Sequence, residues 1–467
     1  MSLNLETYLL DAYEKYFEKS LIHKRFTHNE ILPLIRKFEK EPQIKIDLAG
    51  HSIENREIYS LRFGEGSKTV LLWTQMHGDE ATATMAVFDI LNFLSSQDEF
   101  DYLRELFKSH LRLIFVPMLN PDGTERITRQ NAVGIDLNRD AKKLQAPESQ
   151  ILLNLVEKYK PDFAFNLHDQ DFRWSVGETN KLASISLLAP VYDYAKSIDE
   201  SRLNAIKLVA ELRNKFEHYL PNRIARYKDD FEPRSFGDYI AGQKVSTILI
   251  ESGRDINDPN KFFYRKLNFT MLLYSFMSIS KNQYLDFDES DYFKIPTNGK
   301  FMFDLILKNV LLEKEGKKFH IDIAINREEE YETGSRLPFF KSCILDIGDL
   351  SVFSGIEEFD CTGLEIMESK ILQNTNFNEN EINEDKLKEY INSGYLFVQL
   401  NENMKTRKSI NMPINLIGKD KSSYTDVRLN STANFFLTTN RKIEKVLING
   451  WLCDLNDYSK VRNGLVY

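Results

Sequence analysis

His77 and Glu80 stand three residues apart in the run MHGDE, and His168 follows much later in FNLHDQ. Two imidazoles and a carboxylate are one of the donor sets that hold a catalytic zinc ion, which takes three protein ligands and keeps a fourth position for water. A His at the end of a buried strand, with a Glu three residues later at a helix entry, can turn both side chains toward one point. His168 at the end of another strand can supply the third donor. Glu251, in the run ILIESG, is a further carboxylate placed directly after an apolar stretch. An HxxE pair taken alone is more often made of capping or hydrogen-bonded residues than of ligands.

The elements that must position these groups are legible as apolar runs: VLLWTQM over 70–76, LRLIFVPML over 111–119, FAFNL over 163–167 and STILI over 246–250. A helical stretch, ATATMAVFDILNFL, follows the first of them. Near-continuous apolar runs separated by helices read as strands buried on both faces of a mostly parallel sheet. The expected fold class is therefore α/β, a mostly parallel mixed sheet flanked by helices. In open sheets of this kind ligands bind beyond the carboxyl ends of the strands, where the strand order reverses. The polar residues cluster there: His77 and Glu80 after the first run, Asn120 to Gly123 after the second, His168 after the third and Glu251 after the fourth.

Between the two histidines lies NPDGTERITRQNAVGIDLNRD, residues 120–140. With this run in place the chain resembles the M14 zinc carboxypeptidases, in which an HxxE pair, an NPDG turn, an Arg, an Asn-Arg pair, a ligand His and a late Glu occur in this order. Gly50, Ser52 and Arg56 in AGHSIENREIYSLRFG resemble the entry into that fold, so the resemblance spans roughly residues 40–285. It implies one zinc ion on His77, Glu80 and His168, with Glu251 as general base and proton shuttle. Zinc lowers the pKa of its water toward neutrality, so a nearby carboxylate suffices to take the proton and return it to the leaving amine.

The resemblance also makes Arg129, in preference to the nearby Arg126, the cation that steadies the carbonyl oxygen as it becomes an oxyanion. Asn138 and Arg139 match the pair that binds a free C-terminal carboxylate, a task for which the planar guanidinium fork is suited. The family's mobile tyrosine falls near Lys228 or Asp229, with Tyr227 adjacent as the candidate. The segment DDFEPRSFGDYIAG, residues 229–242, is expected to line the pocket for the terminal side chain. It carries Arg234 as a candidate substrate contact, equally able to pair with Asp230 or Glu232. Asp169 and Gln170 are expected to orient His168 or its neighbours, since metal-bound imidazoles donate their other N–H.

A chain of 467 residues exceeds what one core usually holds, roughly 250–300 residues. Residues 1–40 read as a helical lead-in with a Thr27/Glu30 capping box, residues 41–290 as the catalytic domain, and residues 297–467 as a smaller β-rich accessory domain. The last segment, through FDLILKNVLLEKEGKKFHIDIAIN and ANFFLTTNRKIEKVLINGWL, resembles the small β-sandwich beside the barrel of amidohydrolases. The net charge of -9 comes with interspersed signs, which excludes nucleic acid as the expected partner. No stretch reaches the ~20 apolar residues of a membrane span, and the opening MSLNLETYLLDAYEKYFEKS lacks a secretory apolar core. The expected location is the cytoplasm. Cys343, Cys361 and Cys453 are odd in number and not at metal-ligand spacing, against a disulfide framework.

The expected substrate is a peptide or acyl-amino acid with a free carboxylate, cleaved at a C-terminal peptide or related amide bond. Two other readings stand beside this one: an N-acyl amino acid deacylase of the aspartoacylase-like branch, and a non-catalytic peptide-binding relative that keeps only the carboxylate clamp.

Overall fold

The computed structural model describes residues 4–255, 257–332, 335–336, 338–373, 384–400, 408–410, 412–418, 425–454 and 464–466. The chain divides into two compact units, Met1–Lys300 and Phe301–Tyr467.

The first unit is built on an eight-stranded sheet of β1 (Ile44–His51), β2 (Glu57–Phe63), β3 (Lys68–Trp73), β4 (Leu111–Val116), β5 (Phe163–Asp169), β7 (Ile185–Leu188), β8 (Ile224–Arg226) and β9 (Ser246–Ser252), with β6 (Ser175–Val176) outside it. The order is β1-β2-β4-β3-β5-β9-β7-β8. The four central strands β4, β3, β5 and β9 run parallel. Antiparallel pairing enters toward the edges, at β1/β2, β2/β4 and β9/β7. The chain passes from β3 to β4 on one side and returns to β5 on the other side of β3. This reversal opens a crevice at the carboxyl ends of β3 and β5.

Both faces of the sheet are buried. In β3, Val70 and Leu72 enter one core while Leu71 and Trp73 enter the other, as the period of two requires. The larger core holds α1 (Leu5–Ala12), α2 (His28–Lys37), α3 (Thr82–Ser95), α4 (Asp101–His110), α7 (Glu200–Phe216) and α9 (Phe262–Lys281). The smaller core holds α6 (Pro147–Tyr159) and α8 (Phe236–Ala241), while α5 (Pro121–Arg126) caps the carboxyl end of β4. The Thr27/Glu30 capping box is formed at the start of α2. In the larger core Arg265 is fully buried and pairs with Asp89, whose carboxylate also accepts from Tyr13 and the Glu18 amide, so the buried charge is fully partnered.

In the second unit Met302–Lys314, Lys317–Tyr331 and Pro338–Gly348 form an antiparallel meander. It continues through Glu365–Glu368 and Phe435–Thr439 into Lys442–Ile448 and Trp451–Asp454. A five-stranded sheet and the helix Glu384–Asn392 complete the described part of this β-rich unit. Among the described residues no helix is long and apolar enough to cross a membrane.

A candidate metal centre and its cleft

His77 lies four residues past the end of β3, and the backbone between them turns through Gln75 in the left-handed region, φ 43°. The turn is locked from beneath by the NPDG run. Asn120 donates to the Met76 carbonyl at 3.2 Å and accepts from the Gly123 amide at 2.9 Å. Gly78 faces Gly123 so closely that a Cβ on Gly78 would stand 2.1 Å from the Gly123 carbonyl carbon, so any side chain there would force the two segments apart. Asp122, fully buried, accepts from Ser52 Oγ at 2.7 Å, the Glu54 amide at 2.9 Å and Arg56 at 2.6 Å. The entry stretch and the NPDG turn are thus one assembly whose product is the position of His77.

His168 is the penultimate residue of β5 and Glu251 that of β9, and the two are register partners on adjacent parallel strands. Both imidazoles turn Nδ1 toward the Glu80 carboxylate, which takes His77 on Oε1 at 2.7 Å and His168 on Oε2 at 2.7 Å. The two Nδ1 atoms are 3.1 Å apart, and one donor atom from each of the three residues lies within 4.8 Å of the others. Lone pairs converging in a buried place need positive charge among them. Burial disfavours a charged His77, yet the Glu80 carboxylate and the hydrogen bond with Asp136 outweigh it and push the imidazole up to about 9. Burial also opposes an ionised Glu80, and the two imidazoles hold it well below its ordinary value. Burial drives His168 down. The donor types, their convergence and this demand for a cation fit one zinc ion.

Around this point the other candidates assemble. Arg129 brings Nη1 to 3.2 Å from His77 Nδ1 and 3.5 Å from Glu80 Oε1. Arg126 points elsewhere, donating to the Asp122 carbonyl and pairing with Glu54. Asn138 accepts from the Phe236 amide at 2.9 Å at the start of α8, and Arg139 pairs with Glu232 at 3.5 Å. Tyr227 packs its ring 5.9 Å from Trp174, and burial followed by the charges of Glu251 and Glu80 raises its hydroxyl above the ordinary range. Glu251 is raised well above a normal carboxylate, first by burial and then by the negative Glu80.

His77, Glu80, Arg129, Asn138, Arg139, Tyr227 and Glu251 line one cleft of about 250 Å³. Arg234 does not line it, and instead its guanidinium grips Glu232 through two bonds of 2.9 and 2.8 Å. A larger groove of about 810 Å³ opens at the amino ends of β3, β5 and β9 and holds none of these groups. Neither Asp169 nor Gln170 bonds His168 through its side chain, while the Asp169 amide donates to the neighbouring Glu80 Oε2 at 3.1 Å. Asp169 binds Thr82 at 2.8 Å and Lys261 at 3.1 Å, Gln170 donates to the Ala183 carbonyl at 2.7 Å, and His168 Nε2 has no partner among the described residues.

Asp136, which sequence reasoning missed, ties the site together. Its Oδ1 meets His77 Nε2 at 3.2 Å and the Asn138 amide at 2.9 Å, while Oδ2 accepts from Arg129 Nε at 3.0 Å. Burial opposes its charge, but these partners hold it far below the usual carboxylate range. One carboxylate therefore orients a candidate ligand, the candidate oxyanion cation and the candidate carboxylate clamp.

The sequence matches the zinc carboxypeptidase family over residues 31–184. That stretch is about a third of the chain. The chain is 28% identical over 142 residues to an uncharacterized protein of Zymomonas mobilis, covering 30% of this chain and 37% of that one. It is 26% identical over 132 residues to carboxypeptidase 2 of Trichophyton rubrum, covering 28% of this chain and 22% of that one. The matches thus span well under half the length of either relative. Among solved structures, a metallo-carboxypeptidase from Burkholderia cenocepacia is similar with a TM-score of 0.46 and 18% identity, over 56% of this chain and 70% of that one. Carboxypeptidase A from Helicoverpa armigera gives 0.41 and 15%, over 60% and 80%.

Proposed function

We propose that this zinc carboxypeptidase relative hydrolyses a C-terminal peptide bond, or a closely related amide, beside a free carboxylate. The observation that carries the reading is the convergence of His77, Glu80 and His168, with Glu251 beside His168 in register and Arg129, Asn138 and Arg139 lining the same cleft. A zinc ion held by the three donors supplies a Lewis acid and a water of near-neutral pKa.

The chain's own residues then divide the work. Arg139 and Asn138 take the terminal carboxylate, the guanidinium offering paired donors and the amide a third. Glu251, raised by burial, takes a proton from the attacking water at its carboxylate oxygen and hands it to the leaving amine nitrogen. Arg129, held by Asp136, stands ready for the charge that develops on the carbonyl oxygen. Tyr227, half-buried against Trp174, covers the substrate and excludes water.

The test is metal analysis of the full chain, followed by a panel of free and C-terminally amidated peptides and N-acyl amino acids. The expected result is one zinc per chain and cleavage of free-ended peptides only, with Glu251→Gln lowering kcat by roughly 10²- to 10⁴-fold at unchanged zinc content. Turnover confined to N-acyl amino acids would move the reading to deacylation. Zinc without any turnover would sink it.

A further inference from the structure

Directly after His168 and Glu251, the strands β5 and β9 end on Asp169 and Ser252, which are register partners. The Asp169 amide donates to Glu80 Oε2 at 3.1 Å, and its carboxylate Oδ2 accepts from Thr82 Oγ1 at 2.8 Å. Thr82 opens α3 just beyond Glu80. Asp169 therefore holds the Glu80 segment twice, at the ligand carboxylate itself and at the helix that follows it. The same Oδ2 is paired with Lys261, whose Nζ stands 3.1 Å away and also reaches the Ser252 carbonyl at 3.5 Å.

Lys261 breaks several local preferences at once. It is only 6% exposed, and lysine is almost never buried unless paired. Its backbone is left-handed, φ 59°, a region that residues with a side chain seldom enter. It directly precedes the 20-residue helix α9, at the end where the helix dipole favours negative charge. The helix does not need it as a cap, because the Asp258 carboxylate accepts the Phe262 and Phe263 amides at 2.9 and 2.8 Å. Capping falls to Asp258, and the ammonium of Lys261 is spent on the strand ends. Residues held against local preference persist where the surroundings over-determine them, and they cluster at functional sites.

We propose that Lys261 is a positioning residue of the metal centre, its ammonium cross-linking the ends of β5 and β9 and fixing, through Asp169, how Glu80, His168 and Glu251 stand relative to one another. The proposal rests on the reading of the site as a zinc hydrolase. Lys261 does not line the cleft, so it acts only through Asp169 and Ser252. Without its charge, Asp169 loses the partner that holds it on Thr82, and the Glu80 segment loosens. Asn138 and Arg139 belong to a separate turn, Leu137–Arg139, so substrate affinity is untouched.

The test compares the unaltered full chain with Lys261→Met, Asp169→Asn and the double variant, well below the unfolding midpoint of each. Lys261→Met keeps the length and apolar stem of lysine and removes its charge. The readouts are the rate at which bound zinc passes to a chromogenic chelator, and kcat and KM on a free-ended peptide. Lys261→Met is expected to release zinc about 10-fold faster and to lower kcat by roughly 10- to 100-fold, with KM within about twofold. The double variant is expected to lose no more than either single one, because the two charges act as a unit. Zinc release and kcat both near those of the unaltered chain, with only the unfolding midpoint lowered, overturn the proposal and leave the hydrolase reading intact. Losses that add in the double variant overturn it as well. If the unaltered chain holds zinc and cleaves nothing, the reading fails and zinc release alone decides: faster from Lys261→Met supports the proposal, and an equal rate overturns it. A chain that holds no zinc overturns both. Should Lys261→Met fail to fold, equal zinc release from Asp169→Asn and the double variant, each faster than from the unaltered chain, supports the proposal. Unchanged release, or release faster again in the double variant, overturns it.

Discussion

The two ends of the cleft are made differently. At the metal end, His168 and Glu251 sit on adjacent strands in register, His77 is locked by the NPDG turn, and Asp136 ties His77, Arg129 and Asn138 to one carboxylate. At the other end, Tyr227 to Ser235 form an irregular segment whose charged side chains are mostly held by one another, as Arg234 and Arg139 are on Glu232. Strand ends in a close-packed sheet fix side chains in place, as transition-state chemistry requires, while a loop can change its lining without disturbing the core. On the proposed function, the first end is suited to the chemistry and the second is free to vary with the substrate.

The sharpest way to break that division is to remove His168. His168→Ala is expected to abolish zinc binding and hydrolysis together, read as zinc per chain by atomic emission and as rate on a free-ended peptide. Changes within 227–238 should leave the zinc content untouched. A His168→Ala protein that keeps one tightly held zinc would show that the ligand set lies elsewhere.

Asp136→Asn probes whether the metal end works as a unit. A carboxylate behind a ligand histidine is typically worth 10- to 100-fold in metal affinity or activity, roughly the loss expected here. Because Asp136 also holds Arg129, kcat should fall even when zinc is supplied in excess. Zinc affinity and kcat both at the level of the unaltered chain would remove Asp136 from the site. Arg139→Ala should act more weakly, raising KM by about 10-fold with little change in kcat, as loss of uniform substrate binding does. Its decisive readout is the preference for free over amidated ends, which should shrink. An unchanged preference would place the carboxylate clamp on other residues.

The same contrast explains what the sequence made legible. VLLWTQM, FAFNL and STILI read as buried strands because parallel strands covered on both faces need unbroken apolar runs, and the groups just beyond them could be placed with confidence in the pattern. The structure brings His77, Glu80, His168 and Glu251 together there. Asp136 escaped notice because a half-buried carboxylate in a loop has no periodicity, and its partners are assembled only by tertiary contact. Arg234 drew attention as a charge in the right segment, yet Glu232 two residues away satisfies it locally. Asp238 stands in the same segment, but its burial, which depends on α8 packing against the sheet at Phe236 and Ile240, is not readable there.

The smallest expected effect is on stability, and it tests Asp238 at the start of α8, which is 7% exposed, accepts the Glu232 amide at 2.7 Å and pairs with no cation among the described residues. An acid whose pKa is raised from 3.8 to about 7 on folding keeps its proton in the folded protein after the unfolded chain has released it. Between about pH 4 and 7 the folded state therefore binds more protons, and stability falls as pH rises, by at most about 1.4 kcal/mol per pH unit, levelling off above the folded pKa. Asp238→Asn has no proton to lose there. Its unfolding midpoint relative to the unaltered chain should rise steadily from about pH 5 to 7 and then stay constant, with everything the two proteins share cancelling in the difference. A difference between the two proteins that does not vary with pH would mean that Asp238 ionises as readily in the folded protein as in the unfolded chain.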